Sequence, residues 1–437
     1  MIKLFTTFIY TIAITLVFFM SLSTASHAQA VKSIPHIELA ISFDLAHTLL
    51  RGTMKVQMSP GQSLTFSLDS LTVTGALISS PGQENQIITL SESSVLDLEA
   101  TPHEKTLILS YEKSVPATFR DTISSDSIVL TSVWHPLPDR KSTFSLEAMV
   151  PEGFTAVSES DTFTDTTPGG SAFFSFSQPV FSLTFAAAPY VRDSSEVRDG
   201  LSVHTLFFPE DQQMAGDYLL AAVGYIKRYE KEIGTFPYNH YLIVANRNPT
   251  GFGLPTFTLL GQQVLRLPFI RETSLGHEIL HSWFGNSISV NSDSGNWCEG
   301  LTTYLADMAF REDQHQGDLS RKEKIQEYLS YVEHDTLPLK EFNSAGHSSI
   351  TNRDARAVGY GRSAMLFHEL KLRVGEESFD GAIRLFYQRY QNSGASWQDI
   401  QDLFEEISSI NLDRFFTERL ATVELPQLEV SDVQLHQ

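Results

Sequence analysis

Cysteine is almost absent from this 437-residue sequence, since Cys298 is the only one. A single thiol cannot form an intrachain disulfide, so this chain has no disulfide framework. Basic residues are also scarce: 31 Lys and Arg stand against 52 Asp and Glu, which gives a net charge of −21. A charge this negative opposes binding to nucleic acid or to anionic lipid. We therefore expect neither as a partner.

Several sequence motifs of other enzyme classes are missing as well. The sequence contains no Gly-x-Ser-x-Gly elbow and no phosphate-binding loop. The lone Gly-x-Gly at Gly251–Gly253 is followed by Pro255 and a strand-like run, whereas a nucleotide loop would lead into a helix. Cys298 has no recognisable nucleophile context. Serine hydrolase, nucleotide-binding and thiol chemistry are therefore not indicated.

The first 30 residues are typical of a secretory signal peptide. Lys3 is their only charge, an apolar run covers residues 4–20, and Ala28-Gln29-Ala30 is a small-residue cleavage site. We therefore expect export to the periplasm or the extracellular space. The alternative is an uncleaved membrane anchor, because the apolar run approaches spanning length. We expect no stable membrane association unless this segment stays uncleaved.

The next part of the chain, residues 31–194, has the pattern of short strands. Apolar and polar residues alternate with a period of two, as in Leu39/Ile41/Phe43 and Leu107/Leu109/Tyr111, and turn residues separate the runs. This pattern predicts an N-terminal antiparallel β-sandwich or saddle domain with one face in water.

Residues 195–424 have a mainly helical pattern after two short strands, and residues 425–437 read as an extended tail. The fold class is therefore α+β. The predicted helices after Leu275 follow one another closely, and we expect them at Ser274–Gly285, Glu299–Arg311, Ser320–His334, Gly361–Val374, Glu376–Gln391, Trp397–Ile407 and Asn411–Leu420. Ser274 and Asn411 are predicted N-caps, and Gly375 is a predicted helix stop.

The central motif is His277-Glu278-Ile279-Leu280-His281, which is followed by 17 residues and then by Glu299. Positions i and i+4 of a helix share one face, so both imidazoles can reach one ion. Two His and one carboxylate leave a zinc ion an open fourth position, as in catalytic zinc sites. Glu278 lies beside that position, where it can take a proton from water.

Longer motifs around this pentapeptide resemble one family. His281-Ser282-Trp283-Phe284-Gly285-Asn286, then Glu299-Gly300 with Tyr304, then Tyr360 at a predicted helix start are similar to the aminopeptidase N family of zinc metallopeptidases. These are gluzincins, and they include leukotriene hydrolase. The resemblance covers most of the chain after residue 30. It implies a β domain followed by a thermolysin-like catalytic domain that binds one zinc ion.

Carried over residue by residue, the resemblance implies a role for each motif position. His277, His281 and Glu299 are the implied zinc ligands, and Glu278 is the implied general base. Tyr360 matches the family's tyrosine that donates a hydrogen bond to the developing oxyanion.

The sequence departs from the family at two places that matter for the site. Cys298 replaces the usual Asn before the ligand Glu299, and it is either an additional ligand or redox sensor or a small buried side chain that points away. The Gly-x-Met-Glu-Asn signature is absent, and no carboxylate lies between Thr250 and Arg271. The family uses that glutamate to hold the free α-amine of its substrate. Strict aminopeptidase specificity is therefore doubtful for this chain.

The segment in the place of that signature can still bind a peptide through its backbone. We predict Gly251, Phe252, Gly253 and Leu254 as substrate-binding residues on a strand at the cleft edge. The predicted function is an exported zinc metallopeptidase that hydrolyses peptide bonds. Two alternatives are a zinc hydrolase of a small amide or other bond, and a zinc-stabilised binding protein without turnover.

Overall fold

A computed structural model describes residues 34–82, 85–88, 94–249, 251–331, 337–344 and 353–423. The predicted signal peptide at residues 1–30 and the predicted tail at residues 425–437 lie outside these ranges. Among the described residues, no helix has both the length and the apolar character needed to cross a bilayer. The domain boundary near residue 194 stays a prediction.

The N-terminal part consists of short strands, as the alternating pattern predicts. In chain order they are β1 (His36–Asp44), β2 (Leu49–Met58), β3 (Leu64–Ser67), β4 (Thr72–Ser79), β5 (Gln86–Ile87), β6 (Val95–Leu98), β7 (Lys105–Ser114), β8 (Asp121–Ile123), β9 (Ile128–Leu130), β10 (Leu137–Pro138), β11 (Ser142–Met149), β12 (Thr155–Ser158), β13 (Ser171–Val180) and β14 (Phe185–Ala188).

Seven of these strands form one large sheet in the order β13-β11-β1-β2-β7-β4-β5. Alternate residues of β1 and β2 are buried, so one face of the sheet packs on the core and the other is exposed. The expectation of a purely antiparallel sheet is wrong in one place, because β1 pairs with β11 in parallel. Nine other strands lie between β1 and β11 in the described part of the chain, so no tight hairpin constrains their direction.

Two smaller sheets complete this part of the protein. They have the orders β10-β3-β6 and β12-β14-β9-β8. Inward side chains from the large sheet and from both small sheets share one hydrophobic core, which includes Phe66, Leu109, Phe144 and Phe185.

A five-stranded mixed sheet begins the second part. Its order is β15-β16-β17-β19-β18, with strands β15 (Val191–Arg198), β16 (Leu201–Phe207), β17 (His240–Asn246), β18 (Gly251–Leu254) and β19 (Phe257–Gly261). The central strand β17 is buried along its whole length, as is typical of a strand covered on both faces. Strand β18 is at the edge of the sheet, and it pairs only with β19.

The remaining elements are mostly helical. They are α1 (Ala215–Glu232), α2 (Gln262–Leu265), α3 (Ser274–Leu280), α4 (Cys298–Thr302), α5 (Ala309–Asp313), α6 (Gly317–Tyr331), α7 (Arg353–Arg356), α8 (Ser363–Val374), α9 (Glu376–Tyr390), α10 (Trp397–Ser408) and α11 (Asp413–Ala421). Two π-helical segments, Thr303–Met308 and Ala357–Arg362, join α4 to α5 and α7 to α8. Strands β20 (Ile288–Val290) and β21 (Ser393–Ala395) form a small parallel pair.

The ends of the predicted helices need correction in several places. Helix α3 ends at Leu280 rather than Gly285, and its N-cap is Thr273 rather than Ser274. Helix α11 has Leu412 as its N-cap, so the prediction of Asn411 is wrong. Gly375 ends α8 with φ of 84°, a conformation that glycine adopts without strain, which confirms the predicted stop.

One buried carboxylic acid in the β domain links stability to pH. The Glu159 side chain is only 2% exposed and accepts hydrogen bonds from the backbone N–H of Thr184 at 2.8 Å and the hydroxyl of Ser158 at 3.2 Å. Burial raises the pKa of Glu159 to about 7, against an ordinary value of 4.5. The native protein therefore retains this proton over a pH range in which the unfolded chain releases it.

Replacing Glu159 with Gln should remove this pH dependence. The native state of the wild type loses about 3 kcal/mol of unfolding free energy as the pH rises from 4.5 through 7, because the pKa is raised on folding. Glu159→Gln should therefore gain about that much relative to wild type between pH 4.5 and pH 8, as measured by urea unfolding. Glu147→Gln, on the exposed side of β11, is the control and should not change the pH profile. A wild-type pH profile in Glu159→Gln would contradict the prediction.

Candidate metal centre

Helix α3 brings His277 and His281 to one face. Their ring centroids are 4.9 Å apart, and the rings meet edge to face. The opposite side of the helix is buried, with Leu275 and Ile279 in the core. Gly276 allows this close packing, because a Cβ there would lie 2.6 Å from the ring of Phe310. The helix is therefore fixed in position by its core contacts, and the histidines face the site.

Helix α4 supplies the carboxylate. The Oε2 atom of Glu299 lies 3.6 Å from Nε2 of His277 and 3.5 Å from Nε2 of His281. Gly300, the next residue, lies against α8, where a Cβ would overlap the side chain of Ser363. This tight helix contact holds Glu299 opposite the two imidazoles.

The three side chains fit a zinc ion. Their ligand atoms lie within 4.8 Å of one another. In a tetrahedral site with bonds of about 2.0–2.1 Å, neighbouring ligand atoms are roughly 3.3 Å apart, close to the distances found here. The Oε2 atom of Glu299 is buried and has no hydrogen-bond partner. Two imidazoles and a carboxylate are also a ligand set that zinc takes in catalytic sites.

The pKa shifts of His277 and Glu299 also fit a site for a metal cation. Burial alone would lower the pKa of His277, but the carboxylates of Asp307 and Glu299 outweigh it and raise that pKa to about 10. Burial would raise the pKa of Glu299, but the two imidazoles lower it well below its ordinary value. The site therefore favours an ionised Glu299 together with a positive charge close to it. A divalent cation supplies such a charge.

Asp307 is a functional residue that the sequence analysis missed. Its Oδ2 atom lies 3.0 Å from Nδ1 of His277, the ring nitrogen that faces away from Glu299. A carboxylate in this position fixes the orientation and tautomer of a metal-binding histidine. The available signal was an acidic residue two helical turns after Glu299.

Replacing Asp307 with Asn should weaken zinc binding by about 10–100-fold, because the carboxylate that orients His277 is lost. Competition with a chelator of known affinity measures this effect. Asp313→Asn changes an exposed carboxylate six residues further on and should leave zinc affinity unchanged. Equal zinc affinity in Asp307→Asn and wild type would contradict this role.

Cys298 is buried, but it does not point away from the ligands. Its Sγ atom lies 3.4 Å from Nδ1 of His281 and 3.0 Å from the carbonyl oxygen of Phe284. That carbonyl oxygen is also 3.0 Å from the same ring nitrogen. The thiol is outside the group of three metal-ligating side chains. Cys298 therefore contacts the candidate ligand His281 at the ring nitrogen remote from Glu299. Of the two alternatives, a small buried side chain is confirmed in its burial but not in pointing away from the ligands.

Glu278 and Tyr360 both lie at this cluster. The Tyr360 ring is nearly parallel to the ring of His277, with centroids 6.2 Å apart and an interplanar angle of 12°. Burial and the carboxylate of Glu299 raise the pKa of Tyr360, so the phenol keeps its proton and remains a donor. Burial also raises the pKa of Glu278.

Tyr360 does not lie at a helix start, as the sequence suggested. It lies in the π-helical segment Ala357–Arg362, inside a continuous helical stretch that includes Arg353–Val374. A π-helical turn is a wider turn, and such turns are frequent at functional sites. The glycines on both sides of Tyr360 explain why the sequence pattern suggested a helix boundary here.

The predicted substrate strand is β18, and it lies against the α3 helix. A Cβ on Gly253 would lie 2.7 Å from Oε2 of Glu278 and 3.1 Å from the carbonyl oxygen of the same residue. The side-chain amide of Asn286 donates to the carbonyl oxygen of Gly253 at 3.3 Å. The structure therefore brings Gly253 against Glu278 and His281, while the role of Gly251, Phe252, Gly253 and Leu254 in binding substrate stays a prediction.

Comparisons with known proteins agree with this geometry. Residues 271–419 match the model of the Peptidase family M1 domain. Aminopeptidase N of Escherichia coli (strain K12) is 24% identical over 151 residues, which cover 33% of this chain and 17% of that protein. Aminopeptidase M1-C of Oryza sativa subsp. japonica is 23% identical over 145 residues, covering 31% and 16%. The chain spans about a sixth of the length of these curated relatives.

Solved structures show the same fold. The M1 zinc metallopeptidase from Deinococcus radiodurans has a TM-score of 0.68 and 17% identity, over 90% of this chain and 95% of that chain. A mutant of that protein bound to a Tyr-Ser-Ala substrate has a TM-score of 0.66 and 16% identity over the same shares. These comparisons confirm the resemblance to the aminopeptidase N family and the fold of a β domain followed by a helical domain. They also support zinc as the cofactor.

Proposed function

We propose that this chain, which carries a Peptidase family M1 domain at residues 271–419, is an exported zinc metallopeptidase. The observation that carries the proposal is the convergence of His277, His281 and Glu299 beside Glu278 and Tyr360. A metal site of this kind with an adjacent carboxylate and phenol contains the parts needed to hydrolyse a peptide bond.

His277, His281 and Glu299 would hold the zinc ion. When bound, zinc acts as a Lewis acid toward a carbonyl group and toward water. Asp307 keeps His277 in the orientation that presents its Nε2 atom to the site, and the carbonyl oxygen of Phe284 does the same for His281.

Glu278 is the general base in this proposal. Its carboxylate takes a proton from the attacking water and then gives it to the nitrogen of the departing amine. Glu278 follows the candidate ligand His277 on α3, and its Oε2 atom faces Gly253 of the substrate strand. The carboxylate is therefore close both to the metal site and to a peptide bound on β18. Glu278 thus accepts one proton and donates the same proton, so it is a carboxylate again after the reaction.

Tyr360 stabilises the negative charge that develops on the carbonyl oxygen. Because its phenol remains protonated, it donates a hydrogen bond to that oxygen. One such donor contributes roughly 3–4 kcal/mol in other enzymes. Its ring lies beside His277 and its hydroxyl interacts with the carboxylate of Glu299, so the phenol is at the metal cluster.

Strand β18 binds an extended peptide through its backbone. Edge strands add a peptide as a further strand, so binding requires no particular side chain. The strand offers no carboxylate for a substrate α-ammonium, and Gly253 leaves no room for one next to Glu278. We therefore propose hydrolysis of peptides whether or not the N-terminus is free.

Matched peptides with free and acetylated N-termini test this proposal. The purified zinc protein should cleave both forms with kcat/KM values within about threefold of each other, since neither form gains an ion pair on β18. Cleavage of the free form alone would contradict the proposed breadth. Cleavage of small amides without any peptide would favour an amide hydrolase, and zinc binding without turnover would favour a binding protein.

Export is the part of the proposal that depends on residues 1–30. The mature protein should begin after Ala30 if Ala28-Gln29-Ala30 is the cleavage site. N-terminal sequencing of the protein from the producing cell checks this, and an intact Met1 in membrane fractions would indicate an anchor.

A further inference from the structure

A positively charged side chain lies next to Tyr360, and the proposed mechanism does not use it. The Arg356 guanidinium carbon is 4.9 Å from the centroid of the Tyr360 ring. Tyr360 in turn stacks beside His277. Arg356 and Tyr360 are four residues apart on one helical stretch, so both side chains lie on the side of the helix that faces the site.

The charge of Arg356 is available to a ligand. The side chain is exposed, and within the part of the chain that the structure describes no carboxylate forms an ion pair with it. Several other exposed arginines of this acidic protein have such partners, for example Arg389 with Glu406 and Arg419 with Glu369, whereas among the described residues Arg353 and Arg384 also lack one. Arg356 differs from these two in its contact with Tyr360. An arginine that stays without a carboxylate in a chain with this excess of acid is free to bind one from outside.

Strand β18, which lies against Glu278, has no charged group for a substrate ammonium. Strand β18 contributes Gly251, Phe252, Gly253 and Leu254, and none of these is charged. The carboxylates described at the site are Glu278, Glu299 and Asp307, and they are assigned to the base, to the metal and to the orientation of His277. Of the described charged side chains named at this site, Arg356 is left for binding a substrate, and it is a cation.

We infer that Arg356 binds a carboxylate of the peptide substrate, so that the enzyme prefers peptides with a negative charge near the cleaved bond. This inference rests on the proposed peptidase function. The planar guanidinium matches a carboxylate in a bidentate pair. The carboxylate is either the C-terminus of a short peptide or an acidic side chain, and both sources have the same chemistry.

Peptide pairs that differ by one charge test the inference. One pair has a C-terminal acid or amide, and a second pair has Glu or Gln beside the cleaved bond in a peptide amide. For the wild type, we expect kcat/KM to be about tenfold higher for the charged member of one pair, with the difference mainly in KM. In Arg356→Gln that ratio should fall to about one, and in Arg356→Glu it should fall below one.

Arg353→Gln is the matched control. Arg353 lies one turn earlier on the same helix, is also exposed, and contacts the ring of Tyr331 instead of Tyr360. This variant removes the same charge from the protein and should keep the wild-type ratio. A change in the packing of Tyr360 would alter the rates for both members of a pair equally, so the ratio separates charge recognition from a structural effect.

The same pairs can be compared by binding. In Glu278→Gln, isothermal titration calorimetry should show about tenfold tighter binding of the charged peptide, and Arg356→Gln in that background should abolish the difference. Glu278-dependent hydrolysis with a ratio that Arg356→Gln leaves unchanged would overturn the inference and leave the proposed function standing. Failure of the wild type to hydrolyse any peptide would overturn both.

Discussion

Glu278→Gln should lower kcat for peptide hydrolysis by about 10²–10⁴-fold, the range that a general base contributes. The amide has nearly the same shape as the carboxylate but cannot take up a proton. Because Glu278 is not among the three metal-ligating side chains, the variant should still bind one zinc ion. The measurements are steady-state hydrolysis of an internal peptide and zinc content on the same sample.

The control for this variant is Glu272→Gln. Glu272 is exposed and lies just before α3, so the same chemical change is made close to the site but outside it. It should retain wild-type activity. Zinc-loaded Glu278→Gln with more than a tenth of the wild-type kcat would contradict the assignment of the base.

Gly253→Ala should lower kcat/KM by about 10²-fold or more. A Cβ at this position would meet Oε2 of Glu278 at 2.7 Å and Cβ of His281 at 3.2 Å, so the base or the strand must move. A displacement of about 1 Å at a reacting group can cost 10²-fold in rate. The variant should lose this activity while its zinc content stays near that of wild type, because the nearest contact of the new Cβ is with Glu278 and not with a metal-binding atom.

Gly251→Ala is the control on the same strand. Its Cβ would meet only Cδ2 of Leu260, at 3.9 Å, which is ordinary contact. Both glycines lie on β18 and neither has a positive φ, so the difference in activity between the two variants reports the contact with Glu278. Similar activity for the two variants would show that the close approach of Gly253 to the base has no role.

Much of the site could be predicted from the sequence because its key residues are close together in the chain. The spacing of His277 and His281 fixes their shared helix face whatever the rest of the fold does. Glu299 could be predicted as the third ligand because it follows His281 after 17 residues, close to the separation in the family, and begins a second predicted helix. The alternating strands of the β domain are predictable for the same reason, since a period of two reflects one buried face.

The parts that could not be predicted depend on distant contacts. The parallel pairing of β1 with β11 joins strands about 100 residues apart, and no turn between them signals its direction. The side chain of Cys298 reaches His281 because the chain turns at Phe284 and Gly285, where glycine adopts φ of 106°. Arg356 could not be predicted because it is near the site only through its contact with Tyr360. The position of Tyr360 beside His277 is known only from the fold.

The π-helical segment Thr303–Met308 makes the spacing of the metal site sensitive to chain length. In a regular α-helix with 3.6 residues per turn, Asp307 would point about 80° away from Glu299, since eight residues separate them. The wider turn reduces that rotation and lets both acids serve His277, one at each ring nitrogen. Deleting a single residue here would leave seven residues between the two acids, and in a regular α-helix seven residues bring two side chains to within about 20° of each other. An α-helical segment that is one residue shorter would therefore also present both acids to His277, whereas a regular helix of the present length would not. The length of this segment and the width of its turn therefore decide together whether Asp307 reaches His277.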